Sequence, residues 1–327
     1  MFGVKITGTG KYIPEKKITN FDLEKMVDTT NEWILSRSGI EERYFAAENE
    51  ATSDMSIKAI YSALEKSNTK PEELDMIIVG TYTPDNIFPS TACIIQGKIG
   101  AVNAWAWDLN AACSGFVYSL ITASQFIMTG SHNKILVVGA DTSSRILDFE
   151  DRTSCVLFGD GAGAVVIEPC EEGNGILDWV AGADGTGAEH IIMPAGGSRK
   201  PASVETVNNR EHFFKMNGKD VFKFSTRALP QMITDLLTKN NLSPDDIKLL
   251  IPHQANIRII ESGAKKAGIK RENIFINLDK YGNTVAGTIP IALDEALSQN
   301  RIKQGDYIIL AGFGGGLTWA GLLIKWI

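Results

Sequence analysis

The chain has four cysteines and four histidines in 327 residues, and neither type clusters. No C-x-x-C pair occurs and no Cys/His grouping has the spacing that zinc requires, which argues against a metal site. There is no apolar run of membrane-spanning length, and the opening MFGVKITGTGKYIP lacks a basic stretch leading into an apolar core and cleavage site. Positive charge is in deficit: 32 Lys and Arg face 39 Asp and Glu, a net charge of −7, which argues against a general nucleic-acid binder. The pieces GTG (8–10) and GDGAG (159–163) are too short for a dinucleotide fingerprint. These absences point to a soluble, cytoplasmic protein whose thiols stay reduced.

What is present is core material, 44% hydrophobic against 22% charged residues, enough for two domains or one duplicated one. The duplication is visible. SNTKPEELDMIIVGT (67–81) matches NNLSPDDIKLLIPHQ (240–254), a helix end, a Pro-acid-acid turn and a buried strand. KILVVGAD (134–141) pairs with DYIILAGF (306–313) at nearly the same offset of about 170 residues, and GAVVIEP (163–169) follows in the same order with AGLLIKW (320–326), at a somewhat shorter offset. Val- and Ile-rich runs buried on both faces alternate with helical patterns at 53–66, 114–129, 226–239 and 256–267, which predicts an α/β sandwich built twice.

In DLNAACSGFVYSL (108–120), Cys113 opens an apolar helix, where unpaired N–H groups and the dipole favour a thiolate. The repeat offset carries Cys113 to YGNTVAGTIPIALDEAL (281–297), with Asn283 near the equivalent point, so a cysteine is expected to face an asparagine. PHQAN (252–256) delivers His253 at a strand's carboxyl end, where α/β sheets place ligands. Cys, His and Asn together suit covalent acyl transfer: a thiolate attacks a carbonyl while imidazole and carboxamide hydrogen-bond an oxyanion. AGFGGGLTWAG (311–321) adds backbone that can approach a ligand closely. Taken singly, Cys113 reads as a buried structural thiol, Asn283 as a helix cap and His253 as a loop histidine; the combination decides. Cys93, Cys155, Cys170, His132, His190 and His212 read as structural or solvent-facing.

These residues sit in stretches that resemble the β-ketoacyl-acyl-carrier-protein synthase III family, thiolase-fold condensing enzymes that start type II fatty-acid synthesis. The stretches are TNFDLEKMVDTTNEWILSRSGIEER (19–43), FPSTAC (88–93), AACSGF (111–116), FGDGAGA (158–164), PHQAN (252–256), YGNT (281–284) and GFGGG (312–316). The resemblance implies a duplicated five-layer αβαβα sandwich with halves at 1–172 and 173–327. It implies that Cys113 takes an acyl group from acyl-CoA, that malonyl-acyl-carrier protein loses CO2, and that His253 and Asn283 stabilise the resulting enolate. The N–H groups of Cys113 and Gly315 would form the other oxyanion hole.

By the same match Trp33 and Arg152 would stack the CoA adenine, Arg37 would meet the pyrophosphate, and Thr29 and Asn256 would add CoA contacts. Phe88, Phe222 and Phe313 would line the acyl pocket, and Arg258, Lys265 and Lys266 would receive the acidic carrier protein. No cofactor is implied beyond these substrates, no membrane or nucleic acid is involved, and the family's habit is a homodimer. After GNT the family usually continues Ser-Ala-Ala-Ser, whereas this chain has Val285, Ala286, Gly287 and Thr288, a change in packing beside the site. A condensing relative of polyketide or specialised lipid synthesis, using another primer or acceptor, shares the same residues.

Overall fold

The computed structural model describes residues 2–327. Nine strands join in the order Ile247–Pro252, Tyr307–Gly314, Thr318–Lys325, Gly175–Ala183, Gly3–Tyr12, Gly161–Cys170, Ile135–Asp141, Met76–Gly80 and Trp105–Leu109. The order divides naturally. Four strands from the second half of the chain meet five from the first through a single pair, Val4 with Gly175. Within each half, parallel and antiparallel pairings recur in the same sequence: Met76–Gly80 runs parallel to Ile135–Asp141, which is antiparallel to Gly161–Cys170, and Ile247–Pro252, Tyr307–Gly314 and Thr318–Lys325 repeat the pattern. Even the outermost strand has its echo, as Leu250 bridges Ile274 where Met76–Gly80 pairs with Trp105–Leu109.

The layers follow from what the strands bury. Val- and Ile-rich strands are apolar on both faces, so each half must be covered twice. Helices Gly115–Met128 and Thr288–Ser298 lie in the middle, Phe116, Leu120, Ile289 and Leu293 packing with Ile78 and Val137 on one side and Ile251 and Leu310 on the other. Outside, helices Thr52–Ser67 and Thr91–Ile99 cover the first half, and Gly218–Lys239 and Ile257–Lys266 the second. This is the five-layer αβαβα arrangement that the resemblance implied.

Local signals set the helix ends. Thr30 and Ser90 each cap the N–H three residues on, and Gly39 and Gly100 close those helices in left-handed conformations that a side chain resists. The helix foreseen at 226–239 begins earlier, at Gly218, because the Asn217 side chain accepts the Asp220 N–H. No helix among the described residues is long and apolar enough to cross a membrane.

Candidate active site

Each central helix is entered through a tight turn, Ala112–Ser114 before Gly115–Met128 and Val285–Gly287 before Thr288–Ser298. The two turns are equivalent in the repeat, so the residue matching Cys113 is Ala286. Asn283 instead matches Asn110, and the expected cysteine-asparagine equivalence is corrected: the offset holds, but Asn283 precedes the turn that Cys113 sits within. Cys113, His253 and Asn283 nonetheless line one cavity of about 580 Å³, together with Phe313 and Gly315.

Cys113 is buried, and its sulfur lies where the other half offers no side chain: a Cβ on Gly314 would stand 2.7 Å from Sγ. The thiolate expected from the helix terminus is not the resting form. Burial pushes the Cys113 thiol up to about 12, Asp141 pushes the same way, and only the backbone N–H groups of Gly315 and Cys113 itself oppose them. The sulfur thus rests as a thiol beside the two N–H groups expected to cradle an oxyanion.

His253 follows the strand Ile247–Pro252, its N–H bound to Ala311 O at 2.8 Å. Phe313 packs edge-on against the ring with centroids 5.4 Å apart, and Nδ1 pairs with Thr288 Oγ1 at 2.8 Å. Burial draws the imidazole down to about 3, so it is neutral at physiological pH. Asn283 is held through its backbone, with N–H donating to Leu157 O and C=O accepting from Gly159 N–H. Its Oδ1 accepts the Val285 N–H at 2.9 Å, which leaves the Nδ2 end for a ligand. A buried thiol, a neutral imidazole and an oriented amide around a mostly apolar chamber form an acyl-transfer constellation.

Two family descriptions match the chain, 3-oxoacyl-[acyl-carrier-protein] synthase III over residues 107–185 and its C-terminal part over 237–326. The chain is 54% identical over 321 residues to the beta-ketoacyl-[acyl-carrier-protein] synthase III of Caldanaerobacter subterraneus, covering 98% of this chain and 97% of that one. It belongs to the β-ketoacyl-acyl-carrier-protein synthase III family. A similar protein of Clostridium acetobutylicum is 50% identical, covering 100% of this chain and 99% of its own. The crystal structure of 3-oxoacyl-[acyl-carrier-protein] synthase III from Aquifex aeolicus superposes with a TM-score of 0.92 at 44% identity, covering 99% and 100% of the two chains.

Around this core the structure places the other expected residues unevenly. Trp33, Arg37, Phe222, Asn256 and Arg258 line the same cavity. Arg152 lies outside the lining, its guanidinium 5.6 Å from the Trp33 ring and bonded to Asp28 O at 2.9 Å and Oδ2 at 3.3 Å. The Asn256 carboxamide is already engaged, capping Arg258 N–H and donating to Arg37 O. Thr29 is off the lining with its hydroxyl buried and unpartnered. Lys265 and Lys266 are exposed on helix Ile257–Lys266, Lys266 reaching Thr226 O.

Phe88 departs from expectation. It is 84% exposed and is not part of the wall of the Cys113 cavity within this chain. The cavity wall is completed instead by Tyr82, Phe158, Phe214 and Met216, which the sequence reading missed. Tyr82 could have been found, since it follows the carboxyl end of Met76–Gly80 as His253 follows that of Ile247–Pro252. The remaining thiols are unpaired, Cys155 buried and Cys93 exposed, and among the described residues no group of three or more His, Cys, Asp or Glu could hold a metal. His132 accepts the Trp105 indole N–H, and His212 pairs with the Thr206 hydroxyl.

Proposed function

We propose that the enzyme condenses a short-chain acyl group with malonyl-acyl-carrier protein, giving 3-ketoacyl-acyl-carrier protein, CoA and CO2, and so starts fatty-acid synthesis. The observation that carries this is the single cavity shared by Cys113, His253 and Asn283, in a chain about half identical to named synthases III.

In the first step the Cys113 sulfur attacks the acyl-CoA thioester carbonyl, its proton leaving with CoA as the free thiol. The N–H groups of Cys113 and Gly315 receive the oxyanion. In the second, the malonyl thioester loses CO2 and the electron pair becomes an enolate, which the Asn283 Nδ2 and a neutral His253 stabilise by donating. The carbanion attacks the acyl-enzyme carbonyl and Cys113 departs as a thiolate, which takes one proton from solvent to return to the thiol.

Trp33, Arg37 and Arg152 receive CoA at the mouth, with Thr29 and Asn256 supporting it. Phe222 and Phe313 bound the acyl chamber, and Arg258 with Lys265 and Lys266 draws in the acidic carrier protein. The halves divide near 172/173. We further infer a cytoplasmic enzyme and a homodimer, the dimer supported by strand Trp105–Leu109 as a sheet edge paired on one side only, by Ile87 and Phe88 standing 85% and 84% exposed, and by a second cavity of about 1220 Å³ lined in part by Ile87.

The test is intact-protein mass spectrometry after a panel of acyl-CoAs, followed by malonyl-acyl-carrier protein. An acyl group should appear on Cys113 and then vanish as 3-ketoacyl-acyl-carrier protein forms. If no acyl group loads, the reading fails; if only long or unusual groups load, the chemistry stands and the alternative primer reading replaces the initiating one.

A further inference from the structure

Asp141 ends the strand Ile135–Asp141, is fully buried, and forms no ion pair among the described residues. A carboxylate so placed must be held by hydrogen bonds. Its two oxygens are used very differently. Oδ1 accepts from the Thr81 hydroxyl at 2.9 Å, from Tyr82 N–H at 2.9 Å, and from the Thr83 N–H and hydroxyl at 3.2 and 2.9 Å. Oδ2 accepts from the Ala286 N–H alone, at 3.0 Å.

The repeat shows what this means. Asp141 and Gly314 end equivalent strands, and Ala286 and Cys113 lie in equivalent turns. In one half the Cys113 sulfur rests against a bare Gly314; in the other a carboxylate fills that place and grips the turn through Ala286 N–H. That turn is the one that Asn283 opens: Asn283 Oδ1 holds the N–H of Val285, and Asp141 holds the next one along. The other oxygen gathers the segment carrying Tyr82, a wall residue of the same cavity.

We propose that Asp141 is a positioning residue for the condensing step, one carboxylate that aims Asn283 through the Ala286 N–H and fixes Tyr82 on the opposite wall. It touches no substrate and acts through the two segments it joins. The inference rests on the condensation proposed above. Two ionisable groups, Tyr82 and Cys113, feel its charge, and Tyr82 also feels Asp160; each is pushed up. Burial raises Asp141 itself to about 7 against its five donors.

The test is Asp141→Asn in the full-length enzyme. With its carbonyl in the four-donor position, the new amide turns an NH2 toward the Ala286 N–H, donor against donor, at unchanged size. Ketoacyl formation from preloaded acyl-enzyme should fall about 10- to 100-fold, as expected for one lost buried partner, while loading from acyl-CoA changes less than about threefold. Alkylation of Cys113 by iodoacetamide should shift to lower pH as the charge goes. Equal losses in both steps with an unmoved alkylation profile would reduce Asp141 to a structural residue and overturn the proposal. Should that variant not fold, Asp141→Glu decides: with the carboxylate moved out by one methylene from the Ala286 N–H, ketoacyl formation should fall well below loading from acyl-CoA, and equal losses in both steps would overturn the proposal. A wild type that loads no acyl group defeats the condensation reading itself, whereas a competent wild type beside a uniformly impaired variant defeats only this inference.

Discussion

Ala112 and Val285 hold the same left-handed backbone, at φ 45° and 52°, each just ahead of a central helix and each with its N–H on the side-chain oxygen of an asparagine two residues earlier. Asn110 serves Ala112 at 3.3 Å, and Asn283 serves Val285 at 2.9 Å. A side chain in this region costs energy that tertiary structure must offset, so both turns store strain beside the reacting groups. Replacing Ala112 with Gly removes that strain but adds freedom to the unfolded chain, terms of about 1–2 and 0.5–1 kcal/mol. Calorimetry should therefore find Ala112→Gly at least as stable as the wild type. A clear loss of stability would show that the turn is relaxed in the folded enzyme.

Gly314 is the complementary case, a site where room and not conformation matters. An added Cβ would stand 2.6 Å from Cys113 Cβ and 2.7 Å from Sγ, and Cys113 is pinned between this strand and its own helix. Gly314→Ala should fold yet misplace the nucleophile, lowering acyl loading by about 100-fold, the scale of a displacement near 1 Å. Cys113→Ser should load nothing, because a serine here has no strong base. Label on the serine variant would move the nucleophile elsewhere.

The mouth offers a binding prediction. Arg152 lies 5.6 Å from the Trp33 ring while Asp28 holds it, and the CoA adenine proposed above would insert between the two. Asp28 is fully exposed at the side chain, so its hold is weak. Asp28→Ala should lower KM for acyl-CoA by a factor of about two to three, and Arg152→Ala should raise it about tenfold, with kcat unchanged in both. A change in kcat would place Arg152 in the chemistry instead.

Acid stability reads out the neutral imidazole. His253 is held near 3 against an ordinary 6.5, so between those values the unfolded chain binds a proton that the folded enzyme refuses. Stability therefore falls as pH drops through this window and is fully present above 6.5, a contribution on the order of 5 kcal/mol across the whole range. Asp141, raised to about 7 from 3.8, acts oppositely, its folded form keeping a proton the unfolded chain has released, so that its contribution falls as pH rises from 3.8 to 7. His253→Gln leaves the aspartate in place. Denaturation midpoints of wild type and variant should converge as pH is lowered from 7 toward 4; parallel curves would mean that His253 titrates normally.

The strands and most helices were legible because each rests on local pattern, and Cys113 and His253 could be singled out from a helix start and a strand end, whereas Asn283 was reached through an equivalence that the structure corrects. Asp141 and Thr288 were not legible. Each matters through one partner far along the chain, Ala286 for the first and His253 for the second, and nothing in the spacing announces such a contact. The resting state of Cys113 was misjudged for a related reason: the helix terminus is local and visible, whereas burial and the Asp141 charge are products of the assembled fold. Phe88 was assigned to the pocket by resemblance, yet within one chain its side chain faces outward.

Thr288 stands where this chain departs from the family's usual serine, and its hydroxyl has one proton for two acceptors. It can donate to Val285 O at 2.9 Å and accept from Nδ1–H of His253, or turn and donate to Nδ1. The Val285 carbonyl also accepts the Thr288 N–H, so it is not orphaned when the hydroxyl leaves. Nδ1 has no other hydrogen-bond partner among the described residues. A donor at Nε2, which the enolate requires, puts the lone pair on Nδ1 and makes Thr288 its donor. Thr288→Val should leave acyl loading and KM for acyl-CoA unchanged while slowing ketoacyl formation about tenfold, as ring orientation and tautomer lose their anchor, and Thr288→Ser should recover the rate. The 15N shifts of His253 read the same event directly, reporting Nε2 protonated in the wild type poised for decarboxylation. If the valine variant condenses at full speed, packing against Phe313 alone holds the ring.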